Sequence, residues 1–355
     1  MPSLFRSLAV VACSTALTGC GLPYYLQAIG GQLELLRKRE SIDAVIADPN
    51  RDAAVRETLS SIAGMREFAV NTLGLPDNDS YTTYVDLDRS YVVWNVVAAR
   101  EFSVEPEQWC FPVAGCVTYR GFFEREAAER YRQGLEAEGF DTWTGGVRAY
   151  STLGWFEDPV LNTMLDRGEE YIASVLFHEL AHQKLYIADD SELNEAFATA
   201  VEEYGVAMWL SEHGAGGALE RYGQRAERQD AFGQLVAAQQ SRLRDIYASA
   251  LSDDEKRAAK AESFAIMQYE YELLRARWDG ADDYDAWFAQ PLNNATLAAV
   301  ATYRRRLPAL RSQLQRVGLE AFYREMEALA ELPPDEREAV LERWLDSVSA
   351  AVRAP

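Results

Sequence analysis

The stretch Phe177-His178-Glu179-Leu180-Ala181-His182 constrains this chain more than any other. On an α-helix, residues four apart stack on one face, so both imidazoles can point at one ion. Tyr171, Val175, His178, His182 and Leu185 share that spacing, and the face they form is apolar apart from the two histidines. Zinc accepts neutral imidazole nitrogen at about 2.0–2.1 Å, and a catalytic zinc keeps a fourth position open. Glu179 stands one step round from His178, where it can take a proton from a water activated at the ion. The chain has only three histidines, the third being His213, so abundance does not account for the pair. The bland alternative is an exposed helix face that carries them by accident.

A third ligand is on hand downstream, in Leu193-Asn194-Glu195-Ala196-Phe197-Ala198-Thr199-Ala200-Val201-Glu202. Residues 183–190 leave room for the first helix to end and for a tight link. A second helix then begins near Ser191, and the acids of 189–192 suit its positive N-terminal end. In such a helix hairpin His182 and Glu195 stand opposite one another, which makes Glu195 the preferred third ligand. Glu202, seven residues on and two turns deeper on the same face, is its rival. Otherwise Glu202 or Thr199 can accept a hydrogen bond from a ligand imidazole and orient it. The expected cofactor is one Zn2+ ion.

The first residues read as a targeting segment. Arg6 supplies a positive region, and residues 7–17 form an apolar stretch too short to span a bilayer. It ends in Leu17-Thr18-Gly19-Cys20, similar to a bacterial lipobox, in which Cys20 becomes acylated after cleavage. Several acyl chains on one residue give stable anchoring. Gly21 in place of Asp resembles the outer-membrane sorting case. An ordinary signal peptide with an incidental Cys20 is the alternative. Cleavage removes Cys13, which leaves Cys110 and Cys116 across a short Pro/Gly loop. In an oxidising periplasm they are a disulfide candidate, with two unlinked thiols as the other possibility. The net charge of −21 repels phosphate backbones and argues against nucleic acid and against electrostatic docking on anionic lipid.

Along the chain, residues 24–75 read as helical, with apolar positions such as Leu33, Leu36, Leu59, Ile62, Met65 and Phe68. Leu75-Pro76-Asp77-Asn78 breaks that pattern. Residues 81–85 and 91–97 are β-branched and aromatic, and the 86–90 link suggests a hairpin. Residues 116–120 and 147–153 read as further strands, with a helix over 124–138 between them. After Asp158-Pro159 helices dominate; 218–278 carries long charged helical patterns, and Pro291, Pro308 and Pro333-Pro334 punctuate the rest. The expected divisions are a signal at 1–19, an α+β part with a sheet at 20–160, a zinc-binding helix pair at 161–215 and a helical part at 216–355.

HELAH followed by LNEAFATAVE resembles the gluzincin peptidases, and in particular the LNEGFA element of zinc aminopeptidases. A closer resemblance is to the bacterial predicted-aminopeptidase family of envelope lipoproteins. It rests on Trp109-Cys110-Phe111-Pro112-Val113-Ala114-Gly115-Cys116, Tyr119-Arg120-Gly121-Phe122-Phe123, Ala149-Tyr150-Ser151-Thr152-Leu153-Gly154-Trp155-Phe156, the zinc segment and Asn293-Asn294-Ala295. It implies a predominantly helical α+β fold: a zincin-like core with a small mixed or antiparallel sheet before the HExxH helix. It also implies His178, His182 and Glu195 as ligands, Glu179 as general base, a peptide substrate, and a lipid-anchored place in the envelope facing the periplasm. Two departures stand out. Only twelve residues separate His182 from Glu195, and no GxMEN-like segment is present to hold a substrate amine. Glu157 or Glu192 could supply that carboxylate. For the developing oxyanion the candidates are His213, Tyr150 and Tyr303, with Tyr303 preferred and His213 more simply a helix cap. A structural zinc site, or a zinc amidase acting on cell-wall peptides, is the alternative function. The 147–153 strand is a candidate for pairing with extended substrate.

Overall fold

The computed structural model describes residues 22–111, 115–149, 157–301 and 306–353. Helix predominates, and the strands form small sheets, an α+β architecture as expected. The chain opens with α1 (Leu22–Arg37), β1 (Glu40–Ser41), α2 (Ile42–Ala47) and α3 (Ala53–Asn71). The helical reading of 24–75 is thus interrupted, and the reason is local. Pro49 follows α2, and the Asp48 carboxylate accepts the Asn50 N–H at 3.0 Å to make a turn. Asp52 then caps α3 by accepting from Ala54 and Val55. β1 pairs antiparallel with β2 (Thr83–Val85).

The second sheet is built from β3 (Val93–Arg100), β6 (Arg120–Phe122) and β7 (Phe140–Val147), with β3 in the middle and antiparallel to both. Between them in sequence come β4 (Trp109–Phe111), β5 (Gly115–Val117) and α4 (Arg125–Ala137). Successive β3 side chains face opposite ways. Val96 packs with Phe122 and Ala128 of α4, whereas Val97 and Ala99 meet Ala295 and Ala298 on the other face. β4 and β5 pair with Cys110 opposite Cys116, and a disulfide joins them. The strand expected over 116–120 is split between β5 and β6.

Two expectations are corrected here. Residues 81–97 make no hairpin, because β2 and β3 belong to different sheets. The link between them is fastened to Asn162, whose Oδ1 accepts the Leu87 N–H at 3.0 Å and whose Nδ2 donates to the Arg89 carbonyl at 3.2 Å. The strand expected over 147–153 lies earlier, in β7, and stops at Val147. Beyond it Arg148 turns towards Asp166 and the Thr163 carbonyl; residues 150–153 lie outside the described residues.

β8 (Val160–Leu161) runs parallel to β2 and leads through α5 (Asn162–Leu165) into a hairpin of α6 (Glu169–Lys184) and α7 (Ser191–His213). α6 starts after Gly168, whose φ of +85° suits a residue without Cβ. Gly205 lets α7 close on its neighbours: a Cβ there would come within 2.5 Å of Leu73 and 3.0 Å of Phe177. The largest core surrounds this hairpin. Leu59, Ile62 and Met65 of α3 meet Ile172, Leu176 and Leu180 of α6 and Phe197 and Val201 of α7. α8 (Ala218–Ala248), α9 (Asp253–Arg277), α10 (Asp285–Phe288) and α11 (Asn294–Ala301) enclose a second core around Phe232, Leu243, Met267 and Tyr271. α12 (Leu307–Val317), α13 (Leu319–Ala330) and α14 (Pro334–Arg353) complete the first. Pro308 and Pro334 sit in first helical turns, where a missing N–H costs nothing. No described helix is long and apolar enough to cross a membrane.

Asn293-Asn294 turns out to join helix to sheet. The buried Asn294 side chain donates to the carbonyls of Arg100 and Glu101 at 3.0 and 2.9 Å and accepts from the Tyr247 hydroxyl at 2.8 Å. Asn293 donates to the Thr142 carbonyl and accepts the Thr296 N–H. Asn294→Ala leaves several buried groups unpartnered and should lower stability by about 3 kcal/mol. Urea unfolding at unchanged metal content checks this; an unaltered midpoint would show that these bonds contribute nothing.

Candidate metal centre

Three donor atoms converge where α6 and α7 face each other. Nε2 of His178 lies 3.1 Å from Nε2 of His182 and 3.2 Å from Oε2 of Glu195, and the His182 to Glu195 separation is 3.7 Å. For bonds of about 2.0–2.1 Å at tetrahedral angles, donors lie about 3.3 Å apart. The triangle therefore fits a single ion, and His178, His182 and Glu195 could together bind a metal. Two imidazole nitrogens facing each other this closely need a proton or a cation between them.

The α6–α7 link positions the third donor. Asn194, buried one residue before Glu195, accepts the Ile187 N–H and donates to the Ile187 carbonyl, each at 2.7 Å. Asp190 caps α7 by accepting the Leu193 N–H and is itself held by Arg306 at 2.6 Å and Arg337 at 2.9 Å. Asn78 donates to the Gln183 side chain at 2.7 Å and steadies the end of α6.

The two candidate acids divide the work. Glu202 takes Nδ1 of His178 at 2.9 Å, with Ser174 donating to its other oxygen. That contact fixes the ring so that Nε2 faces Glu195. Thr199 lines a cavity with Glu202. Burial alone would lower the His178 pKa, but hydrogen bonds from the ring to Glu195 and Glu202, with the charge of Glu179, raise it well above the usual range. Burial pushes Glu195 up, yet bonds and charge from His178 and His182 bring it down to about 2. The surroundings therefore favour positive charge at the centre of the cluster.

Glu179 faces a cavity of about 470 Å³ shared with Tyr91, Gly146, Val147, Arg148, Ala149, Arg167 and Tyr171. Tyr171 stands on the ligand face of α6 that its spacing predicts, and Tyr81, given no site role by its strand-like segment, lies near Glu179. The latter is a buried tyrosine with φ of +62° whose hydroxyl is kept protonated by burial and by the nearby charges of Glu179 and Asp158. Left-handed backbone at a bulky residue is a sign of constraint, but nothing in the sequence announces it. His213 ends α7, about 27 Å along the helix from Glu195, with its ring stacked on Trp209. Glu157 pairs with Arg39 and Glu192 with Arg306. Cys20, Tyr150 and Tyr303 lie outside the described residues.

These features define a predominantly helical α+β protein with a metal-competent His-His-Glu centre on a helix hairpin. The chain belongs to the family described as "Putative aminopeptidase", which matches it over residues 23–341. That membership supports a peptidase hydrolase acting on a peptide substrate. No curated protein and no solved structure matches the chain.

Glu202→Ala should weaken binding of a divalent metal by about 10–100-fold, because the His178 ring loses its orienting partner. Glu195→Ala should weaken it further. Competition against a chromophoric chelator measures both; equal affinities for wild type and Glu202→Ala would contradict the orienting role.

Proposed function

We propose that the protein is a zinc-dependent peptidase that holds one ion through Nε2 of His178, Nε2 of His182 and the Glu195 carboxylate, with Glu179 as general base. The observation that carries this reading is a single juxtaposition. The three donors meet at one point, and the next residue after His178 presents its carboxylate to a cavity large enough for a peptide segment. Two imidazoles and one carboxylate are a donor set suited to catalytic zinc. The bound ion supplies a Lewis acid that polarises the scissile carbonyl and acidifies a water.

The chain's own groups do the rest. Glu179 accepts the proton from the attacking water and passes it to the leaving amine. Tyr171 shares the cavity with Glu179, and burial raises its pKa, so its hydroxyl keeps its proton at neutral pH. It also lines a second cavity with His178, which favours it over Tyr91 as the donor to the developing oxyanion. β7 pairs on one side with β3, and no described strand covers its other edge. Gly146 and Val147 at its end border the cavity, which supports an extended substrate adding to that edge. The lipobox-like Leu17-Thr18-Gly19-Cys20 supports anchoring through Cys20 to the envelope, facing the periplasm and at the outer membrane.

Glu179→Gln should retain fold and metal while hydrolysis falls by about 10²–10⁴-fold. Metal analysis alongside a peptide-library digest of both proteins tests it. Equal cleavage by the two would remove Glu179 as the base. Tyr171→Phe should lower kcat by about 10²-fold or more with little change in KM; an unchanged kcat would assign the donor elsewhere.

A further inference from the structure

We infer that the cavity beside Glu179 recognises a carboxylate of the peptide through Arg167 and Arg148. This rests on the reading of Glu179 as the base, since it places the recognised group next to the scissile bond.

The chain carries 56 acidic and 35 basic side chains, so a cavity with more arginine than acid runs against its overall bias. Among the described residues that line this one, two are arginines and the only acid is Glu179. Arg167 lies over the Tyr171 ring, 5.7 Å from its centroid, and has no carboxylate within ion-pair distance among the described residues. Arg148 lies over the Tyr91 ring at 5.0 Å. It spends Nη1 on the Thr163 carbonyl and Asp166, and its other nitrogens make no hydrogen bond among the described residues.

A guanidinium held against an aromatic face has already lost part of its freedom and presents a planar fork of donors. The matching ligand is a carboxylate, which accepts two parallel N–H bonds. Recognition of a free amine would call for acids instead. Glu157 and Glu192, the sequence candidates for that task, are taken up by Arg39 and Arg306. The cavity is thus better suited to the acidic part of a substrate than to its amine. That carboxylate can be the chain terminus of a short peptide or an Asp or Glu side chain.

The test is calorimetric binding to metal-loaded Glu179→Gln protein, which does not turn its ligands over. One pair of probes is Ala-Ala-Ala as free acid and as C-terminal amide; the other is Ala-Glu-Ala-amide against Ala-Gln-Ala-amide. At least one acid should bind about tenfold more tightly than its neutral partner, as expected for a single charged hydrogen-bonding group. Preference in the first pair assigns the chain terminus, and in the second the side chain. Adding Arg167→Ala should remove the preference, and Arg167→Lys should restore part of it. Equal binding of acid and neutral forms, no binding of either, or a preference that survives Arg167→Ala combined with Arg148→Ala would overturn the inference. Wild-type hydrolysis, measured separately, reports on the base: selective binding without turnover would sink the peptidase reading and leave only the carboxylate preference, no longer tied to a scissile bond.

Discussion

The pair of 2.7 Å bonds between the Asn194 side chain and the Ile187 backbone fixes everything that follows from this site. They lock the link between α6 and α7 at one length and one phase. Each residue of an α-helix advances the side-chain direction by about 100°. A link that slipped by one position would swing Glu195 away from the rings while leaving both helices intact. The amide is buried, so its bonds are made in a dry setting where losing them is costly. Asn-Glu is therefore one unit: the first residue sets the geometry and the second uses it.

The charged groups gathered there sit against the largest apolar core of the molecule, which would be unfavourable without partners. Each acid has one. Glu195 faces two imidazoles, Glu202 takes a ring nitrogen and the Ser174 hydroxyl, and Glu203 is bound by Arg311, which also holds Asp230. Burial raises the Glu203 pKa despite that guanidinium. A cation at the His178–His182–Glu195 triangle would complete the same pattern of neutralisation.

What was legible in the sequence was what depends on short spacing. The two histidines four apart, the acid one turn into the next helix and the cysteine pair across a tight loop are all set within a few residues. So were the helix over 124–138, observed as α4, and the start of α7 near Ser191. What was not legible depends on partners far away in the chain. Asn162 diverts residues 86–90 from a hairpin across a separation of 75 residues for its bond to Leu87. Asn294 lies in a segment that carries the family resemblance, and it ties a helix to strand ends nearly 200 residues earlier. Glu202 was one of two rival ligands on a shared helix face, and only the position of the His178 ring separates their parts. Tyr171 and Arg167 gain their meaning from Glu179 and β7 meeting at one cavity, which no local pattern encodes.

Asp190 has one more consequence. The acid that caps α7 is neutralised by arginines 116 and 147 residues further on, the second of them on α14. The hairpin therefore depends for its footing on a segment far downstream in the chain. Loss of that distant buttress would loosen the hairpin, and with it the proposed grip on an ion, while every candidate ligand stayed in place.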